Sequence, residues 1–140
     1  MTENAKQWMF SRMLARLLVF LEQKGYDVVI GEVKRTKEMQ EIYVKDGRSK
    51  TMNSLHLRCL AADLTLFKDG VWLKDPNDYK EMGEYWESLG GRWGGRFGDN
   101  PDTEEIEGWD SNHVEWNENA IKAKHPEFVP LFDKVPVTLA

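Results

Sequence analysis

Cysteine is almost absent from this sequence: Cys59 is the single one in 140 residues. An intramolecular disulfide is excluded, as are a thiolate metal cluster and a CxxC redox motif, so any metal must be held through nitrogen and oxygen. Long apolar runs are missing too. No window approaches the roughly 20 apolar residues of a membrane span, and the first apolar stretch is broken by Arg12 and Arg16. The N-terminal M-T-E-N-A-K-Q has no basic segment leading into an uninterrupted apolar one, so synthesis in the cytoplasm without a signal peptide is expected. Basic runs are equally scarce. The net charge is −5 and the densest basic stretch, Lys34 to Lys37, is short, so no surface can neutralise several phosphates and nucleic acid is excluded as a partner. The glycines at 90, 91, 94, 95 and 98 form neither a dinucleotide fingerprint nor a P-loop, because no lysine-serine/threonine pair and helix follow them. Without internal repeats or low-complexity segments, the length suits one domain, 1–140, with a single core, expected as a monomer.

What is present alternates between helical and extended patterns. Phe10, Met13, Leu14, Leu17, Leu18 and Leu21 recur at i, i+3 and i+4, which predicts an amphipathic packing helix that Gly25 ends. Val28 to Ile30 is a β-branched run and a predicted strand; Thr36 to Val44 reads as a second helix closed by Asp46-Gly47. Leu60 to Phe67 is strand-like, and Asp69-Gly70 predicts a hairpin turn into Val71, Trp72 and Leu73. Asp75-Pro76 then supplies an N-cap and a first-turn proline for a helix with Tyr79, Met82, Trp86 and Leu89 on one face, ended by Gly90. A short strand is predicted at His113 to Trp116. The pattern fits an α+β fold.

Two segments concentrate the chemistry: S-L-H-L-R-C-L-A-A-D, from Ser54 to Asp63, and W-D-S-N-H-V-E-W, from Trp109 to Trp116. They hold two of the three histidines, each beside an acid. Catalytic zinc takes three protein ligands and keeps one position for water. His56, Asp63 and His113 would supply that set, His56 from a loop or strand entry and His113 from a distant strand. A separate carboxylate must handle the water's proton, and Asp110, at D-x-x-H spacing from His113, suits that role. Arg35 could offset charge developing on a carbonyl oxygen. Taken singly, each has a plainer reading: Asp63 as a buried hydrogen-bonded acid, Asp110 as a turn former, Cys59 as a small buried hydrophobe. His125, in K-H-P-E, reads as a solvent-exposed loop residue without metal-ligand spacing.

The pattern as a whole resembles the zinc D-Ala-D-Ala carboxypeptidase and L-alanyl-D-glutamate endopeptidase family, which shares the hedgehog/DD-peptidase fold. Ser54, His56, Ala61 and Asp63 fall on the fixed positions of its S-x-H-x-x-G-x-A-x-D signature. W-G-G-R-F followed by W-D-S-N-H-V-E is similar to its W-G-G-D-W and D-x-x-H-[FV]-E, and R-T-K-E-M-Q to its R-[ST]-x-x-x-Q. The resemblance runs from about Val28 to Trp116 and is closest to small, single-domain phage endolysins. It implies a small antiparallel sheet with helices on one side and a metal groove across the other. It also implies that Asp110 is the catalytic acid, that Glu115 is a trailing acid beside the metal and next in line as base, and that Ser54 and Gln40 bind substrate. The implied partner is the peptide stem of peptidoglycan, reached after release from the cytoplasm; the bond expected to be cut is L-Ala–D-Glu.

The departures are local. Cys59 stands where the family has glycine, Val33-Lys34 where it has G-Y, and Arg96-Phe97 where it has D-W. Two other readings are compatible with the motifs: a D-Ala-D-Ala carboxypeptidase, and a zinc-stabilised binding module that has lost catalysis. The acidic stretch Asp99 to Glu107 offers oxygen ligands of the kind calcium takes, but its spacing matches no EF-hand, so a solvated loop is expected there.

Overall fold

Thr2 opens the first helix by accepting the Ala5 amide on its hydroxyl at 3.1 Å, leaving α1 to run over Glu3–Gln23. The computed structural model describes residues 2–98 and 108–126, so the acidic stretch considered for calcium lies outside the described residues. One stripe of α1 is buried: Ala5, Met9, Phe10, Met13, Leu17 and Leu21. Each large apolar side chain so removed from water contributes about 1.5–3 kcal/mol. Gly25, at φ +86°, turns the chain out of the helix into β1, Asp27–Ile30.

The central strand is β2, Ala61–Lys68, and its burial alternates as a strand with one covered face should: Ala62, Leu64 and Leu66 are buried, while Asp63, Thr65 and Phe67 stay partly accessible. β1 pairs along one side of it, Val28 opposite Leu66 and Ile30 opposite Leu64. On its other partners, β3 (Val71–Trp72) forms a hairpin across Asp69 and Gly70, both at positive φ as a D-G turn requires. β5 (His113–Glu115) pairs with Ala61 to Asp63, and β4 (Arg92–Trp93) pairs with β5. All pairings are antiparallel, in the order β1-β2-β5-β4 with β3 against the far end of β2.

α1 and α3 (Lys80–Ser88) pack with the inward residues of the sheet, Phe10 meeting Trp86 edge-on at 5.6 Å. α3 is led in by a 3-10 turn, Pro76–Tyr79, capped by Asp75 as the sequence predicts. α2, Lys37–Lys45, buries only Gln40. A fourth helix, α4 (Glu118–Lys124), closes the core with Ile121. Neither α4 nor β4 is anticipated by the sequence patterns. His125 also departs from the expected exposed loop: it caps α4, is partly buried, and its Nε2 lies 2.8 Å from the Leu89 carbonyl. No helix among the described residues is long and apolar enough to cross a membrane.

Candidate metal centre and its groove

Because side chains alternate along β2, Asp63 points away from the helices, and the register places His113 directly opposite it. His56 reaches the same point from a 3-10 turn, Leu55–Arg58, rather than from a loop or strand entry. Ser54 caps that turn by accepting the His56 amide at 3.3 Å. Cys59 ends it in the left-handed conformation, φ 58° and ψ 39°, which is the backbone state a glycine would take. The substitution of cysteine for glycine therefore leaves the path between the two ligands intact.

His56, Asp63 and His113 each offer a ligand atom within 4.8 Å of the others. His56 Nε2 is 3.4 Å from Asp63 Oδ1, and His113 Nδ1 is 3.2 Å from the same oxygen. Tetrahedral zinc with bonds of 2.0–2.1 Å holds its ligand atoms about 3.3 Å apart, so the set fits such an ion. The chemistry of the donors agrees. His56 Nδ1 lies 2.9 Å from the Val33 carbonyl; since a carbonyl only accepts, Nδ1 donates, and the neutral ring presents a lone pair at Nε2. That Nε2 is buried without a hydrogen-bond partner among the described residues, the state in which a ligand nitrogen is left when its ion is removed. On His113 the outer nitrogen, Nε2, is 2.7 Å from Glu115 Oε1, the carboxylate-to-histidine support that orients metal-bound imidazoles.

The charges respond to one another. Burial works to raise the Asp63 carboxyl, but the hydrogen bond from His113 and the nearness of the two imidazoles outweigh it and hold it well below the usual carboxylate range. Burial likewise opposes a charged His113, yet its bonds to Asp63 and Glu115 lift it to about 9. Asp110, whose Oδ2 is 3.7 Å from His113 Nδ1, moves the other way: burial pushes it up, His113 offsets this in part, and Asp63 adds to it.

Asp110 is placed by glycines. Its amide donates to the Gly94 carbonyl at 3.3 Å, and a Cβ on Gly94 would sit 2.0 Å from the Asp110 carbonyl oxygen. Gly108 approaches Gly95 as closely. Two buried indoles fix the rest: Trp93 Nε1 donates to Ser111 O at 2.6 Å and Trp86 Nε1 to Glu115 O at 2.9 Å.

A groove of about 950 Å³ runs over this cluster. Arg35 and Ser54 line it on the β1 flank, Asp110 and Glu115 on the β5 flank. Arg35 donates to Gln40 Oε1 at 2.7 Å, lies 3.4 Å from Ser54 Oγ, pairs through Nε with Glu32, and stacks on Tyr43 at 4.7 Å. Gln40 has no exposed surface. Its amide nitrogen donates to Ser49 and to the Thr51 carbonyl, so it can reach a bound peptide only through Arg35 and the 49–51 loop. Sequence reasoning missed Glu32, Tyr43, Arg92, Phe97 and Trp109. Only Glu32 carried a signal, an acid three residues before Arg35. The thiol of Cys59 is not in the ligand cluster.

The chain is 38% identical over 94 residues to an L-alanyl-D-glutamate peptidase of Listeria phage A118, a match covering 61% of this chain and 33% of the relative. It therefore spans about a third of that relative's length. The L-Ala D-Glu endopeptidase ChiX of Serratia marcescens superposes with a TM-score of 0.60 at 20% identity, over 79% of each chain, and shares the fold. Residues 47–116, half of the sequence and the part that carries all three candidate ligands, match the family described as D-alanyl-D-alanine carboxypeptidase, and the chain belongs to that peptidase family.

Proposed function

We propose that this chain is a zinc peptidase domain that hydrolyses the peptide stem of peptidoglycan between L-Ala and D-Glu, as a phage endolysin does after release from the cytoplasm. One observation carries the catalytic reading: Asp110 stands 3.7 Å from His113 on the wall of the groove, beside the ligand set without belonging to it. The bond assignment is supported by the name of the phage relative.

His56 Nε2, Asp63 Oδ1 and His113 Nδ1 would hold the ion. When bound, zinc supplies a Lewis acid that brings the pKa of a water to about 7 and polarises a carbonyl. Asp110 accepts the proton of the attacking water and passes it to the amide nitrogen as the C–N bond breaks. A carboxyl raised by burial suits a group that must both take and return a proton. Arg35, its guanidinium plane fixed by Glu32, Gln40 and Tyr43, faces the groove with a cation for the oxygen that gains charge. Ser54 positions the peptide beside it, and Gln40 supports both.

Purified sacculi digested with the protein should release fragments with a new N-terminal D-Glu, read by mass spectrometry. Free D-alanine with the L-Ala–D-Glu bond intact would instead establish the carboxypeptidase activity for which the family is described. Asp110→Asn should keep its zinc and fold yet lose at least roughly a hundredfold in turnover; near-normal cleavage would move the proton-transfer role to Glu115.

A further inference from the structure

The six tryptophans of this chain are used in two ways. Trp86, Trp93 and Trp116 are buried in the core, whereas Trp109 is 75% exposed, more than any other large apolar side chain among the described residues. Its position is not arbitrary. Trp109 immediately precedes Asp110 and lines the groove. Phe97 backs it at 5.5 Å with the rings tilted by 56°, and Phe97 in turn lies 5.5 Å from the His113 ring. Gly98, at φ +77°, brings the chain against the edge of the indole, where even an added Cβ would stand 3.6 Å away. An aromatic ledge thus leads outward from the metal cluster and ends in an open indole face.

The opposite flank differs. With strand order β1-β2-β5-β4, Asp63 sits mid-sheet, Trp109 and Phe97 belong to the β5 and β4 side, and Arg35, Arg48 and Lys50 line the β1 side. Arg92, on the aromatic side, is paired with Glu115 at 3.5 Å and stacked on Phe97 at 4.4 Å; Arg35 and Arg48 pair with Glu32 and Asp46, but those acids do not line the groove, whereas Glu115 and Asp110 do. The proposed substrate has a matching polarity. Beyond the scissile bond the stem is acidic, beginning with the free carboxylate of D-Glu. Before it, the single L-Ala is amide-linked to the lactyl group of an N-acetylated pyranose, which places the sugar ring roughly 7 Å, or two residue lengths, from the scissile carbonyl. A pyranose offers an apolar C–H face that an open indole can cover while its hydroxyls remain in water.

Resting on the cleavage reading above, we infer that Trp109, backed by Phe97, is the platform for this sugar, so that the groove takes glycan on its aromatic flank and acidic peptide on its cationic one. The test compares the disaccharide-linked stem peptide with the same peptide lacking sugar. The unaltered protein should prefer the linked substrate about fivefold to tenfold in kcat/KM, through KM, the scale of one aromatic contact. Trp109→Ala should bring that ratio close to one, and Trp109→Phe should retain part of it. An unaltered ratio in Trp109→Ala, or no preference at the outset, overturns the inference. Titration with the N-acetylglucosaminyl-N-acetylmuramic acid disaccharide alone, followed by NMR, separates the two readings. A shift of the Trp109 indole in the unaltered protein, with accompanying shifts at Phe97 and Gly98 that vanish in Trp109→Ala, supports the platform even if neither peptide is cut, and no Trp109 shift in the unaltered protein refutes it even if both are.

Discussion

At the scale of single residues, Cys59 tests how far the backbone between His56 and Asp63 constrains its side chains. It holds φ 58°, a conformation that costs a residue with a Cβ roughly 1–2 kcal/mol and costs glycine little. Glycine loses more entropy on folding, about 0.5–1 kcal/mol, so the net gain is smaller than the strain. Cys59→Gly is expected to stabilise the protein by about 1 kcal/mol and raise its melting temperature by about 3 °C, with metal content unchanged. A lower melting temperature would mean that packing around the thiol outweighs the backbone term. The candidate ligand set was legible because few residue types bind metal through nitrogen and oxygen and this chain has only three histidines, and the structure brings those residues together. Tyr43 and Trp109 were not, because their roles come from contacts between separate segments of the chain: Tyr43 touches the site only once α2 is folded against Arg35 and Glu32.

Among the elements, the least conspicuous does the most positioning. β4 is two residues long, too short for any alternation to register, and the 3-10 turn after it, Gly94–Arg96, consists largely of glycine. Those glycines are required by contact rather than by φ. At Gly94 a Cβ would stand 2.0 Å from the Asp110 carbonyl, and backbone cannot yield there as a flexible side chain would. Gly94→Ala should therefore displace Asp110 while leaving His56 and Asp63, which come from other elements, in place. A misplacement of about 1 Å costs on the order of a hundredfold in turnover, so the variant is expected to be folded and metal-loaded but nearly inactive. Circular dichroism, elemental analysis and peptide hydrolysis together check this; full activity would show that the turn can retreat without moving the carboxylate. By contrast α1, the hairpin at Asp69-Gly70 and the start of the 3-10 turn into α3 follow from local sequence, since periodicity, turn chemistry and capping each act within a few residues. α4 escaped because only Ile121 of its seven residues is buried, which leaves no apolar stripe to detect.

For the molecule as a whole, the proposed metal and the fold would be coupled through His113. Its ring lies between two carboxylates, Asp63 at Nδ1 and Glu115 at Nε2, which outweigh burial and lift it to about 9 against an ordinary 6.5. A folded-state value above the unfolded one means the protonated ring favours folding. That contribution is complete below pH 6.5 and is lost as the pH climbs through 9, a change on the order of 3 kcal/mol. Zinc bound as proposed would require the neutral ring, so it would take the place of this proton, and its uptake at pH 7 would release about one proton per chain. The expected behaviour is then a chelated protein whose melting temperature falls between pH 6.5 and 9 and a zinc-loaded protein, with about one zinc per chain by elemental analysis, whose melting temperature does not. The gap between the two curves should widen with pH. If it narrows, or if the chelated protein melts at one temperature across that window, His113 is not held charged by its two carboxylates and the metal is not exchanging with its proton.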